Sequence, residues 1–142
     1  MSGYSGAPLA RKLGIEEGAT IAATGAVPED LADLLAPLPP GVRWKQSVRA
    51  PLHLVLAFFT RRTVVVRRWP ALTAAAGPEG VLWVAWPKRS SGVPTDLTED
   101  TFREDLLPTG WVDVKVCAID ETWSGLKMVL RKELRPAKDR QG

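Results

Sequence analysis

The chain has 142 residues, of which 45% are hydrophobic and 25% charged, and its formal net charge is +3. That length suits one domain, and that balance suits a packed core rather than a disordered segment. A single cysteine, Cys117, excludes an internal disulfide, and with a single histidine, His53, it argues against a zinc or other metal centre.

No apolar run reaches the roughly 18 residues of a membrane span. The opening Met1-Ser2-Gly3-Tyr4-Ser5-Gly6 lacks both the basic and the apolar region of a signal peptide. A reducing cytoplasm is therefore the expected setting, with no membrane partner. The 19 Lys and Arg against 16 Asp and Glu are spread along the chain. The absence of a basic stripe argues against a nucleic-acid partner. Six Trp are unusual beside one Tyr and three Phe, and most are expected in the core.

In chain order, residues 1–7 are small and read as flexible. Pro8 to Leu13 predicts a short helix, with proline in its first turn and Gly14 as its cap. Ala19 to Thr24 predicts a weak strand. Pro28-Glu29-Asp30 is a helix start, and Leu31, Leu34 and Leu35 give it an apolar stripe. Pro37, Pro39 and Pro40 end it. Val42 to Gln46 predicts a short edge strand.

Leu52 to Phe59 and Val81 to Trp86 are almost wholly apolar. They lack the alternation of a half-exposed strand and predict central parallel strands covered on both faces. Between them, Val65, Trp69, Leu72 and Ala76 fall at helical spacing, and Pro70 is expected to kink or split that helix. Asp96 or Thr98 caps a further helix that carries Phe102 and Leu106. Trp111 to Ile119 alternates, with Val112, Val114, Val116 and Ala118 on one face and Asp113, Lys115 and Cys117 on the other. Leu126, Met128 and Leu130 alternate again. These two segments, joined by residues 120–125, predict an antiparallel pair.

The expected fold is α/β: a Rossmann-like three-layer sandwich, with a mostly parallel sheet and an antiparallel C-terminal strand pair. Residues 1–132 form one domain, and 133–142 read as a charged, frayed tail.

In open α/β sheets, ligands bind outside the carboxyl ends of the strands. Four loops arrive there: Thr24-Gly25, Thr60-Arg61-Arg62, Lys88 to Asp96, and Asp120 to Ser124. The candidate ligand-binding residues are Lys88, Ser90, Thr95, Asp96, Asp120, Thr122 and Trp123. Lys88, Arg89 and Arg61 suit a small anion beside the start of the helix near Thr98. In the competing reading these cations are solvated, Asp96 caps a helix, and the two long loops brace each other. Asp120 and Glu121 are adjacent and point apart, which is not the spacing of an acid/base pair. Cys117 reads as a small buried hydrophobe and His53 as a strand-boundary residue. Catalytic residues are not identifiable, since no nucleophile–histidine–acid order, phosphate loop or HExxH helix occurs.

Three stretches carry a resemblance: Tyr4 to Ile15, Trp86 to Glu99, and Asp113 to Lys127. Together they resemble a bacterial family catalogued as a domain of unknown function (number 3052), which implies no activity. A second resemblance is to class I S-adenosylmethionine methyltransferases. Leu13 to Ile21 looks like the approach to their first strand, Gly80 to Pro87 like a late core strand, and the closing pair like their last two strands. Those enzymes follow strand one with a glycine-rich loop that lets the backbone approach the cofactor. Here that place reads Ala22-Ala23-Thr24-Gly25-Ala26-Val27-Pro28, with one glycine, and no ribose-holding acid is identifiable. No cofactor is therefore expected.

The functional expectation is a degenerate methyltransferase-like binding or regulatory module with a small anionic ligand. One alternative is a small enzyme on an anionic or nucleotide-like molecule, with Lys88 and Asp120 as its polar core. Another is a nucleic-acid-associated protein using Arg61, Arg62, Arg67 and Arg68. A protein partner and the oligomeric state stay open.

Overall fold

The computed structural model describes residues 8–136. The expectations for residues 1–7 and for the far end of the charged tail lie outside these described residues. Six strands form one sheet: β1 (Thr20–Gly25), β2 (Arg43–Trp44), β3 (Leu54–Phe58), β4 (Val81–Pro87), β5 (Trp111–Ala118) and β6 (Trp123–Leu130). Their order is β2-β1-β3-β4-β6-β5. The first four run parallel, β6 is antiparallel to β4, and β5 is antiparallel to β6. The two apolar runs thus become the neighbouring parallel strands β3 and β4 at the centre of the sheet, in register from Leu54 opposite Val81 to Phe58 opposite Ala85.

The strand pleat sends alternate side chains to opposite faces, and each face is covered by helices. On one face Val55, Ala57 and Phe59 pack with Val65, Trp69 and Leu72 of α3 (Arg62–Ala76) and with Phe102 and Leu106 of α4 (Glu99–Leu106). On the other, Leu54, Leu56 and Phe58 pack with Leu13 of α1 (Leu9–Leu13) and with Leu31 and Leu35 of α2 (Leu31–Leu35). Two of the buried tryptophans find partners for their N–H groups. Trp83 donates to the Leu13 carbonyl at 2.9 Å, and Trp69 to the Thr109 hydroxyl at 3.0 Å. Trp44, on the two-residue edge strand, stays 41% exposed.

Several local expectations are corrected. Pro70 does not split its helix, because α3 runs unbroken from Arg62 to Ala76. The carbonyl that loses its donor belongs to Val66, which is exposed, so water can satisfy it. Thr98, not Asp96, caps α4, through a capping box with Thr101. Asp96 instead accepts the N–H of Arg62 at 2.8 Å, at the start of α3.

The alternation in β5 breaks at a bulge between Asp113 and Lys115. Trp111 and Asp113 therefore share the α3/α4 side, while Lys115 and Cys117 share the other. Val114 and Val116 are exposed, because this is an edge strand and α4 covers only its start. The joining turn is shorter than expected, since β6 already begins at Trp123. His53, just before β3, is tied to β1: its backbone N–H donates to the Thr20 carbonyl, and its Nδ1 accepts the N–H of Thr20 at 2.9 Å. The tail begins with one 3-10 turn, Lys132–Leu134, and Arg135 Nε donates to the Leu130 carbonyl at 2.8 Å.

Candidate functional site

The carboxyl ends of β1, β3 and β4 point the same way, and the antiparallel β6 brings the β5–β6 turn to that end too. Register places Trp123 opposite Pro87, the last residue of β4. The loop after β4 and the β5–β6 turn are bound together there. The backbone N–H of Lys88 donates to the Thr122 carbonyl at 2.7 Å, and its ammonium donates to the Asp120 carbonyl at 2.6 Å. Asp120 Oδ1 accepts the N–H groups of Thr122 and Trp123 at 2.8 and 2.7 Å. This closes a tight turn of the kind aspartate favours. Trp123 is buried and meets Phe58 edge-on, with ring centroids 5.1 Å apart. Lys88, Asp120, Thr122 and Trp123 therefore form one brace, in which the lysine's partner is a carbonyl rather than a carboxylate.

Thr95 and Asp96 belong to a different cluster. Thr95 donates its hydroxyl to the Thr60 carbonyl at 2.7 Å, and Asp96 caps α3. Together they pin the far end of the loop to the β3–α3 junction. Ser91, rather than Ser90, organises the near end, donating to the Lys88 carbonyl and accepting the N–H of Val93. Ser90 is exposed on a 3-10 turn. Between the two pinned ends lies a cleft of about 440 Å³, lined by Trp86, Arg89, Val93, Thr95, Asp96 and Thr98 among others. Of the seven residues singled out in the sequence, Thr95 and Asp96 line it. Arg89 was grouped there only as a cation facing an anion, and Trp86 not at all. Position gives the available signal: both flank the strand-to-loop junction of β4.

The end of β1 is closed. β1 and β3 stay paired to their last residues, Gly25 opposite Phe58, and the N–H of Ala26 extends the ladder to the Phe58 carbonyl at 2.9 Å. Gly25 has φ +89°, and a Cβ there would collide with that same carbonyl oxygen. Arg68 of α3 lies across this end, donating to the Thr24 hydroxyl at 2.9 Å. β1 lies between β2 and β3, and the chain leaves it toward β2 on one side before crossing back to β3 on the other. This is the switch point at which open α/β sheets ordinarily leave a crevice.

Several cations near the site already have partners. Arg62 bonds Asp105 at 2.6 Å and Glu104 at 2.7 Å. Arg103 bonds Glu99, Asp100 and Asp113. These carboxylate hydrogen bonds, to Asp105 and to Asp113 foremost, hold both guanidinium groups further above their ordinary pKa. Arg61 and Arg89 are exposed. Burial pushes the Cys117 thiol up, partly offset by Lys12 and Lys115. Among the described residues, no group of three His, Cys, Asp or Glu side chains is placed to hold a metal ion, and no helix is long and apolar enough to cross a membrane.

No protein-family profile matches the chain, and no curated protein does. Solved structures do match in shape. A SAM-dependent methyltransferase from Aquifex aeolicus superposes with a TM-score of 0.56 at 15% identity, covering 84% of this chain and 87% of that one. The fold is methyltransferase-like. A possible exported protein from Bordetella parapertussis gives a TM-score of 0.61 at 12% identity over 87% of this chain and 66% of its own. The ribosomal protein L11 methylase of Lactobacillus delbrueckii subsp. bulgaricus gives 0.55 at 10% identity, over 87% and 75%. At these identities the likeness concerns the methyltransferase-like scaffold alone.

Proposed function

We propose that the protein is a binding or regulatory module on a methyltransferase-like scaffold from which the cofactor loop has been lost. The closed end of β1 carries this reading. A glycine-rich loop serves a cofactor by offering unpaired backbone N–H groups and room for close approach. Here the one glycine of the loop, Gly25, is used to let β1 meet Phe58, and the next N–H is already bonded to β3. The resemblance to the bacterial domain-of-unknown-function family belongs to the same reading and adds no activity to it.

The ligand in this reading is small and anionic, and the protein works in the cytoplasm as a single domain. Support comes from the 440 Å³ cleft beneath the loop after β4, where the exposed Arg89 stands beside the apolar wall of Trp86. Lys88, Asp120, Thr122 and Trp123 hold the loops that shape the cleft, and Ser90 sits on their outer turn. The enzyme alternative has less support. Oδ1 of Asp120 is held by two backbone N–H groups and the Lys88 ammonium by a carbonyl, which ties both residues into the loop brace.

A thermal-shift screen of phosphate, pyrophosphate, small carboxylates and nucleotides tests this reading, because a bound ligand stabilises by mass action whatever its chemistry. At least one anion is expected to raise the melting temperature of the wild-type chain, and Arg89→Ala is expected to abolish that rise. No shift with any anion, or a shift that survives Arg89→Ala undiminished, would remove the cleft from consideration.

A further inference from the structure

At the outer edge of the sheet an apolar row stops in the open. Val84 of β4, Leu126 of β6 and Val116 of β5 stand side by side across the three strands. The first two are wholly buried, whereas Val116 is 45% exposed. Among the described residues, β5 pairs with β6 alone. Hydrogen-bonded and non-hydrogen-bonded pairs alternate along an antiparallel ladder. The N–H of Ile119 bonds the Trp123 carbonyl, so the backbone groups of Cys117 and Lys115 also face β6. Those of Val116 and Ala118 therefore face outward. The Ala118 carbonyl also accepts the Cys117 thiol, at 3.4 Å.

Side chains alternate along the same stretch. Val116 stands on the α3/α4 face, and Lys115 and Cys117 stand on the other. Lys115 is exposed and forms no salt bridge among the described residues. Proteins commonly blunt an open edge with a bulge or a lysine. Here the bulge falls before the free stretch, and the ladder from Lys115 to Ala118 is regular. The lysine is selective rather than prohibitive. Opposite charges directly across a strand pair stabilise it, and like charges destabilise it. Lys115 turns away a basic strand and favours an acidic one.

We propose that the outer edge of β5 is a docking strand for an extended protein segment that alternates acidic and apolar residues. The segment adds to the sheet as an antiparallel strand, the more stable pairing. Its backbone bonds the outward groups of Val116 and Ala118. An apolar side chain continues the row beyond Val116, and an acidic one meets Lys115 on the other face. A second copy of this chain fits less well. Its free stretch would bring a further lysine and no acid, since Asp113 lies beyond the bulge and is bonded to Arg103.

A fluorescein-labelled peptide of alternating glutamate and valine, titrated with the full chain and followed by anisotropy, tests this. A saturable rise is expected. In an antiparallel addition the residues opposite Val116 and Ala118 are the valines, so the valine amides face β5. N-methylation of those amides is expected to weaken binding about tenfold or more, and N-methylation of the glutamate amides is expected to spare it. Lys115→Glu, at an exposed position, is expected to reverse the preference toward a lysine–valine peptide. Arg89→Ala is expected to leave binding intact, which separates this edge from the cleft. The proposal is overturned if the peptide does not bind, if methylation of neither set of amides weakens it, or if Lys115→Glu keeps the preference for glutamate. It is also overturned if sedimentation shows a dimer that Val116→Lys breaks apart, because the occupant of the edge is then a second copy.

Discussion

Lys88 shows how a residue can be read for its chemistry and still be misjudged for its partner. Its charge, and the polar turn at Asp120, were legible in the sequence. That the ammonium would meet the carbonyl of Asp120 rather than a ligand or a carboxylate was not, because backbone acceptors leave no trace in side-chain pattern. Lys88→Ala is expected to lower stability by about 1–3 kcal/mol, the range for losing a charged hydrogen bond. Trp123→Ala is expected to cost about 3–5 kcal/mol by opening a cavity against Phe58. Urea denaturation measures both, and two losses within error of zero would show that the loops do not depend on this brace. Cys117 gives a pH prediction. Its half-buried thiol favours the neutral form, so the folded-state pKa lies above the unfolded one. Its contribution to stability is therefore complete below the ordinary thiol range and is lost as pH rises through the folded value. At pH 8 alkylation should be slower in the native protein than in urea, with the gap narrowing as the pH is raised. Equal rates at pH 8 would contradict this.

Among the elements, β3 and β4 were the most legible, because an all-apolar run of strand length has few places to go except a sheet covered on both faces. The β5 bulge was not legible. A single inserted residue such as Val114 shifts the pleat without altering the apolar pattern that announces a strand. Pro70 was legible as a helix breaker and yet breaks nothing, because both it and Val66 face solvent. The lost hydrogen bond still weakens the helix. Pro70→Ala is expected to stabilise the protein by about 1–3 kcal/mol, read as a higher denaturation midpoint with an unchanged slope. A lower midpoint would mean that the proline is fixing the backbone of α3 in a way that its hydrogen bonds do not reveal.

At the scale of the whole molecule, the alternation of strands and helices was enough to expect a Rossmann-like sheet, and the methyltransferase-like neighbours share that outline. The cleft was less legible, since it depends on where two loops are pinned and not on which residues they contain. Gly25 joins the scales. One residue decides whether β1 and β3 part to admit a ligand or stay paired to their ends. Gly25→Ala is expected to cost roughly 1–3 kcal/mol through positive φ and collision with the Phe58 carbonyl, seen as a lower melting temperature. A neutral substitution would mean that the two strands are free to separate there. The most direct test of the central claim is a calorimetric titration of the wild-type chain with S-adenosylmethionine. The closed end of β1 predicts no saturable heat up to about 1 mM ligand. A micromolar dissociation constant would contradict the account and make methyl transfer the leading function.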